Sequence, residues 1–399
     1  MLTRRALLRD SAILSLAPAV PGFLARTARA AAPGRDGRVL VVLQLDGGND
    51  GINTVVPFGD DAYGRHRREL RLPTDKLLKI GDGIGLHPSM RPAADLLESG
   101  RLAIVQAVGY PNPDRSHFES MAVWQTARPG RPGRDVPGWL GRALDAAGDA
   151  RKEPAAIHVG TQNLPRALFA RRATSASFAD ASDLALALPA PRAGSPEPVA
   201  AEGDDLKAFV ERTVTSAYAT AAELEAAAAT GRDVSARYPE SDLARRFDLV
   251  ARSIKSGSPA RVYYLIQEGY DTHAVQLPTQ SRLLREFAGA VRAFLDDLGA
   301  VKLADRVVVM VFSEFGRRPD ENGSLGTDHG TAGPVFLAGP SVKAGLVGKS
   351  PLLGELQDGD LKWSIDFRSV YATLLNQWLN LPALEILGGQ FDPLPVLKG

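Results

Sequence analysis

Val39–Leu45, Val262–Ile266 and Val307–Phe312 are strand-length runs of almost unbroken apolar residues, and Leu102–Val108, Ala155–Val159 and Pro334–Ala338 are weaker runs of the same kind. A strand with one wet face alternates apolar and polar side chains, so a continuous run has to be buried on both faces. Helices covering both sides of a mostly parallel sheet provide that burial. Helical spacing does lie between the runs. Leu243, Phe247, Val250 and Ile254 mark one helix face, with Ser241 placed as its N-cap. Leu283, Phe287, Val291, Phe294 and Leu298 mark a second, which Gly299 is placed to close. Phe367, Val370, Tyr371, Leu374 and Trp378 mark a third, behind Asp366. Strands alternating with helices define an α/β chain.

In open α/β sheets ligands bind beyond the carboxyl ends of the strands. Here those ends are consistently polar. The first run meets Asp46, Gly47, Gly48, Asn49 and Asp50; the run near Leu102 leads to Arg115, Ser116 and His117. Val262–Ile266 leads to Asp271 and His273, and Val307–Phe312 to Glu314 and Arg317, with Asp328 and His329 in the loop beyond. The chain has six histidines, and His117, His273 and His329 all fall in these segments. Asp271 and His273 stand two apart, which on extended backbone points both side chains to one side. Carboxylate and imidazole ligands suit zinc, manganese or iron, and magnesium or calcium where oxygen dominates. Cysteine is absent, which excludes thiolate metal sites, thiol nucleophiles, disulfides and a formylglycine made from cysteine.

Each of these motifs also has a plain structural use. Asp-Gly-Gly is a common turn. Ser116 with Glu119 has the spacing of a capping box, and Glu314 is placed to pair with Arg317 or Arg318. The joint placement after strands is what points to a shared site. The other histidines read otherwise: His66 in a charged run as solvated surface, His158 as a structural residue on a strand, and His87 as a helix start or a support for the site.

Residues 1–30 hold five arginines and one acid, so the formal charge of +1 becomes −3 for the remainder. No basic stripe marks a nucleic-acid binder. Thr3-Arg4-Arg5-Ala6-Leu7-Leu8-Arg9 resembles a twin-arginine export motif, followed by an apolar stretch too short to span a bilayer and by Ala28-Arg29-Ala30, a small-x-small cleavage pattern. Residues 36–385 then form the α/β domain of an exported, periplasmic protein, with a Pro/Ala-rich linker and a helical insert or cap expected at about 190–257. A third functional class, dinucleotide binding, fails because Gly47 and Gly48 lack the G-x-G-x-x-G spacing.

Taken in order, LQLDGGNDGINTVVPFGD, LHPSM, GYPNPDRSHFESMAVWQT, GWLGR, EGYDTH, FSEFGRR and GTDHGTAGPVFLAG resemble the bacterial family catalogued as domain of unknown function 1501, from about Val39 to Leu381. That family is related to the alkaline phosphatase-like superfamily of phosphatases, phosphodiesterases and sulfatases. The resemblance implies a doubly wound, mostly parallel sheet with helices on both faces. It also implies one or two divalent ions beside a Ser or Thr nucleophile. Asp46 then maps to a ligand at the end of the first strand, and Gly47 and Gly48 let the backbone pass close to the ion. Ser116 maps to the nucleophile, Asp271 and His273 with His329 to one ion, and Glu314 to the other. Phe315 stands where the superfamily has a second histidine, so a second ion has to use His117 or Asp328, bind more weakly, or be missing. Arg115 or Arg317 would grip a phosphate or sulfate oxygen, and Asn49 would donate to developing negative charge. The implied activity is hydrolysis of a phosphate or sulfate ester of a small molecule or polymer. The alternative is a metal-stabilised envelope protein that binds without turnover. The sequence names no protein partner.

Overall fold

The structure is a computed structural model, and it describes residues 37–130, 132–133, 135–148, 155–178 and 237–399. The export segment, and residues 190–236 of the expected insert, lie outside these. In chain order the described strands are β1 (Val39–Leu45), β2 (Val55–Val56), β3 (Leu78–Gly81), β4 (Ile84–Leu86), β5 (Leu102–Gly109), β6 (Ala156–Val159) and β7 (Ser175–Phe178). They continue as β8 (Val262–Gln267), β9 (Val307–Phe312), β10 (Arg317–Glu321), β11 (Thr327–His329), β12 (Gly333–Ala338), β13 (Gly345–Val347) and β14 (Ile365–Asp366). All six apolar runs are strands.

Nine of these strands make one sheet in the order β13-β5-β12-β9-β1-β8-β6-β7, with β14 also on β5. β1 lies at its centre, parallel to β8 and β9, with Leu40 level with both Val262 and Val308. Only β12 runs against its neighbours β5 and β9. The chain leaves β9 at the carboxyl edge of the sheet and forms the antiparallel β10–β11 pair. It enters β12 afterwards and runs back across the sheet.

Alternate residues of β1 enter opposite cores, which is why the run has no polar alternation. Val39, Val41, Leu43 and Leu45 join one cluster with Phe247, Val250, Phe287 and Phe294. Leu40 and Val42 join the other with Trp124, Trp139, Phe367 and Tyr371. The first cluster is covered by the helices Asp242–Lys255 and Gln276–Ala300, whose Phe247 and Phe294 rings lie 5.2 Å apart. Each such buried side chain contributes about 1.5–3 kcal/mol. Ser241 caps its helix as expected, through its Oγ and the Ala244 amide. The final part of the range expected as an insert is therefore a helix of the covering layer. Gly299 does not close the second helix: that helix runs to Ala300, and the left-handed residue is Lys302.

Among the described residues, no helix is long and apolar enough to cross a membrane. The carboxyl edge of the sheet gathers the loops after β1, β5, β8 and β9, and the β10–β11 pair is packed among them.

Candidate metal centre

The loop after β1 is held by its neighbours. Gly47 has φ 116° and Gly48 φ 75°, a region that glycine enters without steric cost. A Cβ on Gly47 would collide with the Asp271 amide nitrogen, and one on Gly48 with the Phe315 ring. The glycines therefore let this loop approach the loops after β8 and β9. The Tyr270 amide donates to the Asp46 carbonyl at 3.1 Å, and the Gly47 amide donates to Glu314 Oε1 at 2.9 Å.

On this base three side chains converge, with a fourth at their edge. His117, the first residue of the helix His117–Thr126, places a ligand atom within 4.8 Å of ligand atoms of Asp271 and His329. His273 joins them, its Nε2 2.9 Å from His329 Nε2 and 3.1 Å from Asp271 Oδ1. His329 Nε2 is 3.2 Å from the same carboxylate oxygen, and His117 Nε2 is 3.5 Å from it.

The far side of each ring is anchored. His117 Nδ1 lies 2.8 Å from Glu314 Oε1, His273 Nδ1 lies 3.2 Å from Asp328 Oδ1, and His329 Nδ1 lies 2.8 Å from the Arg115 carbonyl. A carbonyl or carboxylate can only accept, so each Nδ1 is a donor and each Nε2 is turned inward. The Nε2 atoms of His273 and His329 face each other at 2.9 Å, and Arg317 Nη1 lies 3.4 Å from that of His273; unprotonated nitrogens this close are stabilised by a cation beside them. His117 Nε2 is buried without a hydrogen-bond partner, which leaves the same kind of need.

The residues therefore fit a divalent ion. Adjacent ligands about 2.0–2.1 Å from zinc stand about 2.9–3.4 Å from each other at octahedral to tetrahedral angles. Anchored Nδ1 atoms are the usual support of metal-bound histidines. Burial would raise the pKa of Asp271, but the bond from Arg317 leads the causes that outweigh this and lower it to about 2. The Glu314 bond outweighs burial and raises the pKa of His117, whereas burial lowers that of His329.

Not every expected residue joins the cluster. Glu314 is fully buried, and its oxygens are taken by His117, the Gly47 amide and Ser313 Oγ. It supports His117 and is not placed as a ligand. The Phe315 ring lies 4.9 Å from both the His117 and His329 rings and fills the space where a further ligand was sought. Asp328 stands behind His273. Asp46 faces the same cleft, its Oδ1 held by Gln44 Nε2 at 2.8 Å, and burial followed by the charge of Glu314 raises its pKa. It is not among the groups whose ligand atoms converge.

Asp50 is spent on a buried pair with Arg67, at 2.6 and 3.0 Å. Asn49 is 2% exposed and accepts from Thr54, so it is enclosed and presents nothing to the cleft. Arg317 is 1% exposed and donates to the carbonyls of Gly47, Gly48, Tyr270 and Thr327 and to Asp271. With its donors occupied it clamps the loops together, and it has none to offer an anion. Arg115 is paired with the buried Asp360. Ser116 precedes the helix as its N-cap, but its side chain makes no capping bond. The capping box is therefore not formed, and the hydroxyl is not used there.

Outside the cluster, His87 starts a short helix by accepting from the Ser89 amide. His158 is a buried strand residue bonded to Ser177. His66 is half-buried at the surface, tied between Asp320 and the Leu353 carbonyl. The sequence reading missed Gln44, which is held by Tyr264 and Gln125 and in turn holds Asp46. Its signal was a lone amide inside an apolar strand.

Residues 38–381 match the family described as "Protein of unknown function (DUF1501)", and the chain belongs to that family. No curated protein matches the sequence. Among solved structures, a putative sulfatase from Bacteroides thetaiotaomicron VPI-5482 shares 11% identity over 89% of this chain and 75% of its own, with a TM-score of 0.40. The PsFucS1 sulfatase from Pseudoalteromonas sp. shares 12% over 90% and 70%, with a TM-score of 0.39. A magnesium-bound mutant of TAB5 alkaline phosphatase shares 11% over 76% and 91%, with a TM-score of 0.35. Likenesses this distant leave the activity to be argued from the site itself.

Proposed function

We propose that this protein is a metal-dependent hydrolase of a phosphate or sulfate ester. The observation that carries the proposal is the convergence of His117 and His329, both anchored at Nδ1, on Asp271, with His273 beside the pair. His117, His329 and Asp271 would hold the ion, with His273 beside them. A divalent ion there would supply Lewis-acid polarisation of an ester oxygen and acidify a bound hydroxyl or water.

The chain's own residues do the rest. Glu314, Asp328 and the Arg115 carbonyl fix the ring orientations, and Arg317 holds Asp271 in place. Ser116 is the proposed nucleophile. It stands at the positive end of the helix His117–Thr126, where developing negative charge is favoured, and its hydroxyl is uncommitted to the cap. One ion is expected rather than two, because the oxygens of Glu314 are occupied and Phe315 brings no ligand atom.

The test begins with metal content per chain by elemental mass spectrometry, then turnover of 4-nitrophenyl phosphate and 4-nitrophenyl sulfate. Asp271→Asn should lose both the ion and turnover. Ser116→Ala should lower turnover at least about 100-fold with metal content unchanged. Unaltered turnover in Ser116→Ala would move the attack to water, and a loaded protein inert to both esters would favour binding without turnover.

A further inference from the structure

Phe118, Met121, Ala122 and Gln125 recur at i, i+3, i+4 and i+7 on the helix that begins at His117, the spacing of one helix face. All four line a cleft of about 530 Å³ that also holds Asp46 and Asp271. Val123 and Trp124 anchor the helix in the core, Met121 packs partly against it and Gln125 holds Gln44, so Phe118 is the member of this face that stands clear of the packing. Phe118 is 88% exposed. A lone exposed phenylalanine would need no explanation, but this one heads an apolar stripe inside a cleft that ends at the candidate centre.

The rest of the cleft agrees with this. Gly47 and Gly269 line it with backbone alone, and Arg166 supplies a cation held by the carbonyls of Gly133 and Val136. Asp46 lies beside the centre and would repel a second negative group on the ligand.

We infer that the cleft takes an ester with an aromatic or similarly flat apolar leaving group. The ring lies against Phe118 and Met121 while the single anionic head sits at the histidines. The inference rests on the hydrolase reading for the nature of the head group, and on the helix face for the leaving group.

The test uses zinc-loaded protein and isothermal titration with non-hydrolysable probes: phenylphosphonate against methylphosphonate, and benzenesulfonate against methanesulfonate. The aromatic member of at least one pair should bind about five- to tenfold more tightly, as a ring stacked on an aromatic side chain does. Phe118→Ala should reduce that ratio to about two or less, with metal content and methyl-probe affinity unchanged. Equal affinities in the unaltered protein, a ratio that survives Phe118→Ala, or no binding of any probe would overturn the inference. Discrimination without turnover of either 4-nitrophenyl ester would overturn hydrolysis and keep the cleft assignment. Turnover without discrimination would do the reverse.

Discussion

Glu314 follows a strand of unbroken apolar residues and in the sequence reads as a ligand or as the partner of Arg317. In the folded chain it is neither: it accepts from the Gly47 amide and holds His117 Nδ1. The distinction lies in which neighbours reach its two oxygens, and sequence position does not specify that. Glu314→Gln keeps an acceptor of the same shape and removes the charge. It should weaken metal binding about 10- to 100-fold, read by competition with a chelator, while Asp328→Asn, on a more exposed carboxylate, should cost less. Asp271 and His273 were legible as candidates for one site because a two-residue spacing on extended backbone points both side chains the same way. Asp46 and Asp50 look alike in the sequence, yet Asp50 is consumed by Arg67 and Asp46 faces the cleft.

At the scale of elements, strands and helices were legible wherever apolar periodicity was strong, and less so at their ends. The helix expected to close at Gly299 continues to Ala300, because its terminus depends on which residue turns left-handed, and that is Lys302. The loops between elements were the least legible. Arg317 begins β10 and joins the loops after β1 and β8 to β11 by donating to four backbone carbonyls. Nothing in Gly-Arg-Arg distinguishes Arg317 from its neighbour Arg318 as the buried one. Arg317→Met would fill much of the same space and leave those carbonyls and Asp271 without their donors. The expected loss is about 3–5 kcal/mol, measured as a lower midpoint of denaturant unfolding. Arg318→Met should change it by under about 0.5 kcal/mol.

Across the whole molecule, residues 117, 271, 273 and 329 meet because β5, β8 and β9 run the same way through one sheet and release their loops at one edge. An ion held by the proposed ligands would bridge these loops, so removing it should loosen the edge without dissolving the core. Chelation should lower the thermal midpoint, and zinc or manganese at 100 times its dissociation constant should restore about 2.7 kcal/mol. Asp271→Asn should show neither effect. The sequence by itself determined the α/β class, the buried strands and most residues of the site, because hydrophobic period and strand-end position are local properties. Only the tertiary structure decided that Glu314 and Asp328 support histidines, that Arg317 is a clamp, and that Gly47 and Gly48 serve a close approach of loops. Those roles depend on contacts between segments about 50 to 270 residues apart, where burial and competing partners settle what each polar atom can reach.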